Sequence, residues 1–207
     1  MASGRPLVIV IDSDRASRET VCRLVGAAGI SVRAYPGCRP FLADAAAHDC
    51  DCLVLDVRLP DGDGLALQKQ LSDQGTRPPV VFVSAHGDVP VVVQAMRQGA
   101  LDFLEKPVGA KALLARIREA IAVAAQRRRD DLARSGLETR LAALTPRERE
   151  VMQQMLRGKS NKAIGQALGI SVRTVEHHRG QVMRKMEAGS LPALIDGLRL
   201  LRGEESR

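Results

Sequence analysis

The sequence predicts an α/β fold, a doubly wound parallel sheet of five strands, joined to a second domain that is all-α and contains a helix-turn-helix. Three observations point there. Short apolar, β-branched runs alternate with helix-periodic segments through the first ~120 residues. From Leu144 onward the periodicity is helical throughout. The two regions also differ in charge: residues 1–125 hold 14 Lys plus Arg against 14 Asp plus Glu, whereas residues 126–207 hold 17 against 10, so the whole net charge of +7 sits in the second region. A basic helical domain beside a neutral α/β domain is the pattern of a chain whose second part faces a polyanion.

Taken in order, strands are expected at 7–11, 31–35, 52–57, 80–84 and 102–105. The first, third and fourth are nearly all apolar, as strands covered on both faces must be. Helices are expected between them at 16–28, 38–47, 65–71 and 89–97, and a further one from 110 to about 127. Gly29 and Gly99 stand where helix C-termini favour a left-handed residue. The run Arg127-Arg128-Arg129-Asp130-Asp131 followed by Ser135-Gly136 reads as a linker helix over 125–142, which sets the domains at 1–124 and 143–207. In the tail, Thr145-Pro146-Arg147-Glu148 combines a threonine N-cap, proline at the first helical position and glutamate three residues after the cap. That helix runs to about Leu156. A second begins near Ser160-Asn161 and stops at Gly169; Ser171 caps a third, which reaches about Met186. A fourth, over 192–201, closes a small core with Leu191, Leu194, Ile195 and Leu198. The turn at 168–171 makes a helix-turn-helix whose third helix is the major-groove probe.

Several classes are set aside. No apolar run approaches the roughly 18 residues needed to cross a bilayer, and residues 1–6 lead into a strand without a signal-peptide core, so a cytoplasmic protein without a membrane partner is expected. Cys22, Cys38, Cys50 and Cys52 read as reduced thiols, and His48, Cys50 and Cys52 lack the second ligand pair of a zinc site. With no Trp, one Tyr and three Phe, the chain has too few rings for stacking on single strands, which leaves double-stranded DNA as the polyanion.

In an open parallel sheet the site lies beyond the carboxyl ends of the strands. Those ends carry Asp12, Ser13 and Asp14, then Asp56, Ser84 and Lys106. Clustered carboxylates repel, and a hard divalent cation such as Mg2+ relieves the repulsion while leaving positions for phosphate oxygens. Asp56 can then attack phosphorus, with Lys106 balancing charge on the phosphoryl group and Ser84 donating to one of its oxygens.

At these residues the sequence resembles the receiver domain of two-component response regulators. Residues 7 to about 125 are covered, and the segments Leu55-Asp56-Val57-Arg58-Leu59-Pro60-Asp61-Gly62-Asp63-Gly64, Val83-Ser84-Ala85-His86-Gly87-Asp88-Val89-Pro90 and Asp102-Phe103-Leu104-Glu105-Lys106-Pro107 carry the likeness. The resemblance implies strand order 2-1-3-4-5, Asp56 as phosphoacceptor, Ser84 and Lys106 as its partners, Phe103 as an aromatic switch that follows Ser84, a cis Lys106–Pro107 peptide, and a phosphohistidine on a sensor histidine kinase as donor. Mg2+ would be held by Asp12 and Asp56. One departure stands out: the family places a second acid where this chain has Ser13. A neutral hydroxyl is a poorer magnesium ligand, so weaker metal binding is expected, with Asp14 as the candidate replacement.

The tail, through Leu144-Thr145-Pro146-Arg147-Glu148, Gly158-Lys159-Ser160-Asn161-Lys162 and Ser171-Val172-Arg173-Thr174-Val175-Glu176-His177-His178-Arg179, resembles the LuxR-type helix-turn-helix. Together the two parts are similar to response regulators of the NarL/FixJ kind, nearest the FixJ branch. Arg173, Thr174, His177, Arg179 and Lys185 are spaced to face outward from the third helix, and Asn161 and Lys162 open the preceding one at amides that favour phosphate. The resemblance adds Glu176, His177 and Gly180 as groove-facing, and Thr174, Arg179 and Lys185 as backbone-facing. Val175, Val182, Met183 and Met186 form an apolar stripe assigned to the core.

The expected protein is a transcriptional switch and no turnover enzyme. Phosphorylation of Asp56 would reshape a face containing Val91, Val92, Ala95, Met96, Gln98, Leu101 and Asp102 and favour a homodimer on DNA, with RNA polymerase a candidate partner at the promoter. Two rivals are carried forward: a DNA-binding regulator independent of phosphorylation, kept open by Ser13, and a phosphatase of the haloacid-dehalogenase type, whose D-x-D nucleophile Asp12-Ser13-Asp14 imitates.

Overall fold

The computed structural model describes residues 5–202 and divides the chain into two compact units, one ending at Arg127 and the other beginning at Arg128. The expectation of no signal peptide falls mostly on residues 1–4, outside the described residues.

The first unit alternates β1 (Leu7–Ile11), α1 (Arg15–Ala27), β2 (Ser31–Tyr35), α2 (Cys38–Leu42), β3 (Cys52–Leu55), a hairpin of β4 (Arg58–Leu59) and β5 (Gly62–Asp63), α3 (Gly64–Asp73), β6 (Val80–Ser84), α4 (Val89–Arg97), β7 (Asp102–Glu105) and the start of α5 (Ala110–Ala142). All pairings in the main sheet are parallel and its order is β2-β1-β3-β6-β7, the expected 2-1-3-4-5 once the hairpin strands are set aside. Alternate residues serve opposite faces. Ile9, Ile11, Leu53, Leu55 and Phe82 meet α2, α3 and α4 through Phe41, Leu65, Leu71 and Ala95. Val8, Val10, Val54, Val81 and Val83 meet α1 and α5 through Val21, Val25, Leu113 and Ile117. Gly29 and Gly99 adopt φ of +76° and +86°, as the helix-ending reading requires.

Four expectations about local structure need correction. The third strand stops at Leu55, and Asp56 already belongs to the turn, although its amide still bonds to the Ile11 carbonyl at 2.9 Å. The hairpin that follows was not expected. The helix expected over 38–47 is broken at Asp44, whose carboxylate accepts from the Ala46 amide at 3.2 Å; a single 3₁₀ turn, Ala45–Ala47, follows. The helix expected from 110 to about 127 and the linker helix expected over 125–142 are one continuous helix of 33 residues, Ala110–Ala142, that runs through Ser135-Gly136. Thr139 returns its hydroxyl to the Ser135 carbonyl at 2.9 Å.

In the second unit the final turns of α5 supply Leu137 and Leu141 to a core shared with α6 (Pro146–Leu156), α7 (Asn161–Leu168), α8 (Val172–Lys185) and α9 (Leu191–Arg202). Val151, Met155, Ile164, Val175, Val182, Met186 and Leu194 are buried there, so the Val175/Val182/Met186 stripe faces inward as expected. The Thr145–Glu148 capping box is complete. Its glutamate does more than cap: Glu148, 5% exposed, also receives the Lys185 ammonium at 2.6 Å, joining the start of α6 to the end of α8. Hydrogen bonding from Lys185, then from the Thr145 amide, holds the Glu148 carboxyl below its usual range despite burial.

That pair makes the second unit sensitive to acid. Because the folded-state pKa of Glu148 is depressed, its contribution is fully present above the ordinary value of 4.5 and is lost as pH falls through the lower folded value. Glu148→Gln should cost about 2 kcal/mol at neutral pH, between the exposed and fully buried cases. In thermal unfolding followed by circular dichroism, the gap from wild type should be constant above pH 4.5 and narrow as the pH falls below it.

Candidate functional site

The sheet order reverses between β1 and β3, and the mouth at that point collects the side chains expected there. Lys106 follows β7 across a cis peptide to Pro107. Its ammonium lies 2.7 Å from Asp12 Oδ2 and 2.7 Å from Asp56 Oδ2. Ser84, fully buried, donates its hydroxyl to Asp56 Oδ1 at 2.7 Å, and the Arg58 amide approaches the same oxygen at 3.4 Å. One cation thus spans two carboxylates that would otherwise repel. Burial pulls the Lys106 pKa down, but hydrogen bonds and attraction from Asp12 and Asp56 outweigh it and hold the amine above lysine's ordinary value, so it stays charged.

Asp12 has a partner set that the sequence did not reveal. Ser17 donates to its Oδ2 at 2.6 Å, the Asp14 amide to its Oδ1 at 2.9 Å, and Arg18 donates to its carbonyl at 2.6 Å. Both newcomers lie in the first turns of α1, and only their spacing from Asp12 could have flagged them. Asp14, expected as a substitute metal ligand, is instead the N-cap of α1: its carboxylate accepts from the Ser17 amide at 2.9 Å, and that hydrogen bond lowers its pKa. Among the described residues there is no group of three or more His, Cys, Asp or Glu able to hold a metal. Asp12 and Asp56 alone suit Mg2+, which takes one or two carboxylates and fills its remaining positions with water and phosphate oxygens.

Phe103 pairs with Phe82 across β6 and β7, ring centroids 5.8 Å apart. Gly87 faces its edge; a β-carbon there would stand 2.7 Å from Phe103 Cε1. Glycine is what lets the β6–α4 loop close over the ring in this position.

The exposed apolar face of α4 is one position out of phase with the expected one. Val89 is 75% exposed, Val93 41% and Met96 44%, whereas Ala95 is fully buried against the sheet and Val91 packs toward the same core. Leu101 packs into the opposite core, and Asp102 is bound by Arg116 at 2.8 Å. Of the residues predicted for this surface, Met96 is exposed and Val92 and Gln98 are half-exposed; Ala95 is removed from it.

In the second unit, Ser160 caps α7 and Ser171 caps α8, with Gly169 left-handed between them. A β-carbon on Gly165 would fall 2.7 Å from the Ile170 carbonyl oxygen, so the turn closes only over glycine. Arg173, Glu176, His177 and Gly180 are exposed on α8; Thr174 and Arg179 are half-exposed. Thr174 shares a 2.8 Å hydrogen bond with Ser171, and Asn161 reaches Glu176 at 3.5 Å, while Lys162 is exposed. Lys185 departs from its expected DNA-facing place: its ammonium is taken up by Glu148 and by the Ala143 carbonyl at 3.1 Å. Val172, 44% exposed at the start of α8, was not singled out from the sequence.

Comparison with known proteins agrees with this geometry. Residues 8–118 match the family described as response regulator receiver domain, and residues 142–197 the family described as bacterial regulatory proteins, luxR family. The chain belongs to the response regulators that join a receiver to a LuxR-type DNA-binding domain, and it is a regulator of transcription of the NarL/FixJ type. It is 43% identical over 188 residues to transcriptional regulatory protein FixJ of Azorhizobium caulinodans, covering 91% of this chain and 89% of that one. It is 38% identical over 195 residues to response regulator protein TodT of Pseudomonas putida, covering 94% and 86%. Among solved structures, response regulator StyR superposes with a TM-score of 0.84 at 37% identity, covering 95% of this chain and 99% of that one. Full-length FixJ from B. japonicum gives 0.59 at 37% identity, covering 97% and 99%.

The lysine bridge is open to a direct test. Lys106→Met leaves Asp12 and Asp56 facing each other at a largely buried mouth and should cost about 3 kcal/mol in urea unfolding. Adding Asp56→Asn to that variant removes one of the two charges and should recover part of the loss, a coupling that a double-mutant cycle measures.

Proposed function

We propose that the chain is switched by transfer of a phosphoryl group from a sensor histidine kinase to Asp56, and that the phosphorylated form dimerises and binds promoter DNA. The observation that carries this reading is the convergence of Lys106 and Ser84 on the two oxygens of Asp56, each at 2.7 Å. One carboxylate oxygen attacks phosphorus in line; the phosphorus–nitrogen bond to the kinase histidine breaks, the new phosphorus–oxygen bond forms, and the imidazole leaves as the neutral ring after protonation. Lys106 balances the charge that remains, and Ser84, already aimed at Asp56 Oδ1, can donate to a phosphoryl oxygen. When bound by Asp12 and Asp56, Mg2+ supplies further charge neutralisation at the phosphoryl oxygens.

Phosphorylation pulls the Ser84 hydroxyl to a new acceptor, and Phe103, in the neighbouring strand, follows. The surface this biases is the stripe of exposed Val89, Val93 and Met96 with half-exposed Val92, which fits a second copy of the chain. On DNA, Arg173, Glu176 and His177 would read base edges, and Asn161, Lys162, Thr174 and Arg179 would contact phosphates. Lys185 has no part in this proposal. Kinase, DNA and RNA polymerase meet in the cytoplasm, where we place the protein; among the described residues no helix is long and apolar enough to cross a membrane. The phosphatase reading is less well supported, because residues 8–118 match the receiver family and Asp14, the second acid of the D-x-D, is taken up as the N-cap of α1.

Two outcomes test the reading. A phosphodonor should tighten DNA binding of the wild type, measured by anisotropy on a promoter selected from random sequence, and should leave Asp56→Asn unaffected; equal response of the two proteins would mean regulation independent of phosphorylation. Restoring the missing acid in Ser13→Asp should tighten Mg2+ binding on the order of tenfold, about 1.4 kcal/mol for one added charged ligand, as read by titration calorimetry.

A further inference from the structure

The five-residue helix α2 has no capping side chain of its own. Its N-cap is Gly37, and no side chain of the local chain bonds to its first amides. The cap comes from the loop after the phosphoacceptor: Asp61 Oδ1 accepts from the Cys38 amide and Oδ2 from the Arg39 amide, each at 2.8 Å. A β-carbon on Gly37 would overlap the Asp61 carboxylate, so the contact needs glycine at 37 as much as aspartate at 61. The amides of Arg39 and Cys38 also lower the Asp61 pKa, and the group stays ionised at neutral pH.

The segment held in this way carries an amide of the site. Between Asp56 and Gly64 the chain folds on itself, Arg58 opposite Asp63 and Leu59 opposite Gly62, with the Gly64 amide bonded to the Val57 carbonyl at 2.8 Å. At its near end stands the Arg58 amide, 3.4 Å from Asp56 Oδ1. At its far end Gly62 lies close to Cys38, where an added β-carbon would come within 3.0 Å of Sγ. The outer edge of the hairpin is thus fastened to α2 through one bidentate carboxylate.

Building on the phosphoacceptor reading of Asp56, we propose that Asp61 is a positioning residue. By latching the hairpin to α2, it holds the Arg58 amide beside the Asp56 carboxylate, where an incoming phosphoryl oxygen needs a donor. The latch is an internal contact, and it acts on the chemistry only through the loop. Freeing it lets the loop sample other positions and misplaces a donor by an amount that phosphoryl transfer feels.

The decisive variant is Gly37→Ser in the full-length protein. Serine gives α2 a cap of its own while its β-carbon evicts the Asp61 carboxylate, so the helix stays capped and the latch opens. Asp61→Asn opens it from the other side. Two readouts are taken: amide hydrogen exchange at Arg58 and Leu59, and the rate of labelling by acetyl phosphate with Mg2+ across donor concentrations. Faster exchange is expected in both variants, with the saturating labelling rate down about fivefold and half-saturation little changed; a loss that came merely from uncapping α2 would be spared in Gly37→Ser, where serine caps the helix itself. Unchanged exchange at Arg58 in Gly37→Ser overturns the latch, and faster exchange with an undiminished labelling rate overturns its positioning role. If the wild type takes no label at all, the phosphoacceptor reading and the positioning role fall together; unaltered Arg58 exchange would show that the latch itself is also wrong.

Discussion

The arrangement of the first unit depends on one ammonium between two carboxylates. A parallel sheet whose strand order turns back between β1 and β3 necessarily delivers the ends of those strands to one mouth, and here both ends carry aspartate. Two carboxylates in a largely buried cleft oppose folding unless a cation answers them. Lys106, at the end of the outermost strand, reaches both. The same charge balance that stabilises the fold sets the Asp56 carboxylate beside a cation and a hydroxyl, a setting suited to nucleophilic attack on an electron-poor phosphorus.

The departure at Ser13 changes that balance. Ser13 brings no charge to the rim for Lys106 to answer, and Ser17 and Arg18 of α1 bond to Asp12. The mouth is therefore closer to neutral without a metal than a site with three acids would be. Its two carboxylates, Asp12 and Asp56, match the coordination habits of Mg2+.

Much of this was legible in the residues themselves. The βα alternation, the glycines at helix ends and the capping box mark most elements to within a residue or two, because each is decided by local chemistry. The rim of Asp12, Asp56, Ser84 and Lys106 follows from strand ends once the sheet is known to be parallel. The rest was hidden for identifiable reasons. α4 reads Val-Pro-Val-Val-Val-Gln-Ala-Met, apolar almost all round, so periodicity could not tell buried Ala95 from exposed Val89 and Val93. The segment around Ser135-Gly136 reads as a linker, yet Leu137 is buried in the second core and belongs to the same helix that begins at Ala110. Lys185 meets Glu148 across 37 residues and Asp61 meets Cys38 across 23, pairings that no local pattern announces.

The central claim is that the carboxylate at position 56, rather than that at position 12, forms the bond to phosphorus. Treating the protein with a small phosphodonor and Mg2+, trapping the acyl phosphate by borohydride reduction and mapping the reduced residue by peptide mass spectrometry addresses it directly. Modification at Asp56 alone is the expected result. Modification at Asp12, or an unmodified chain at saturating donor and metal, would contradict it.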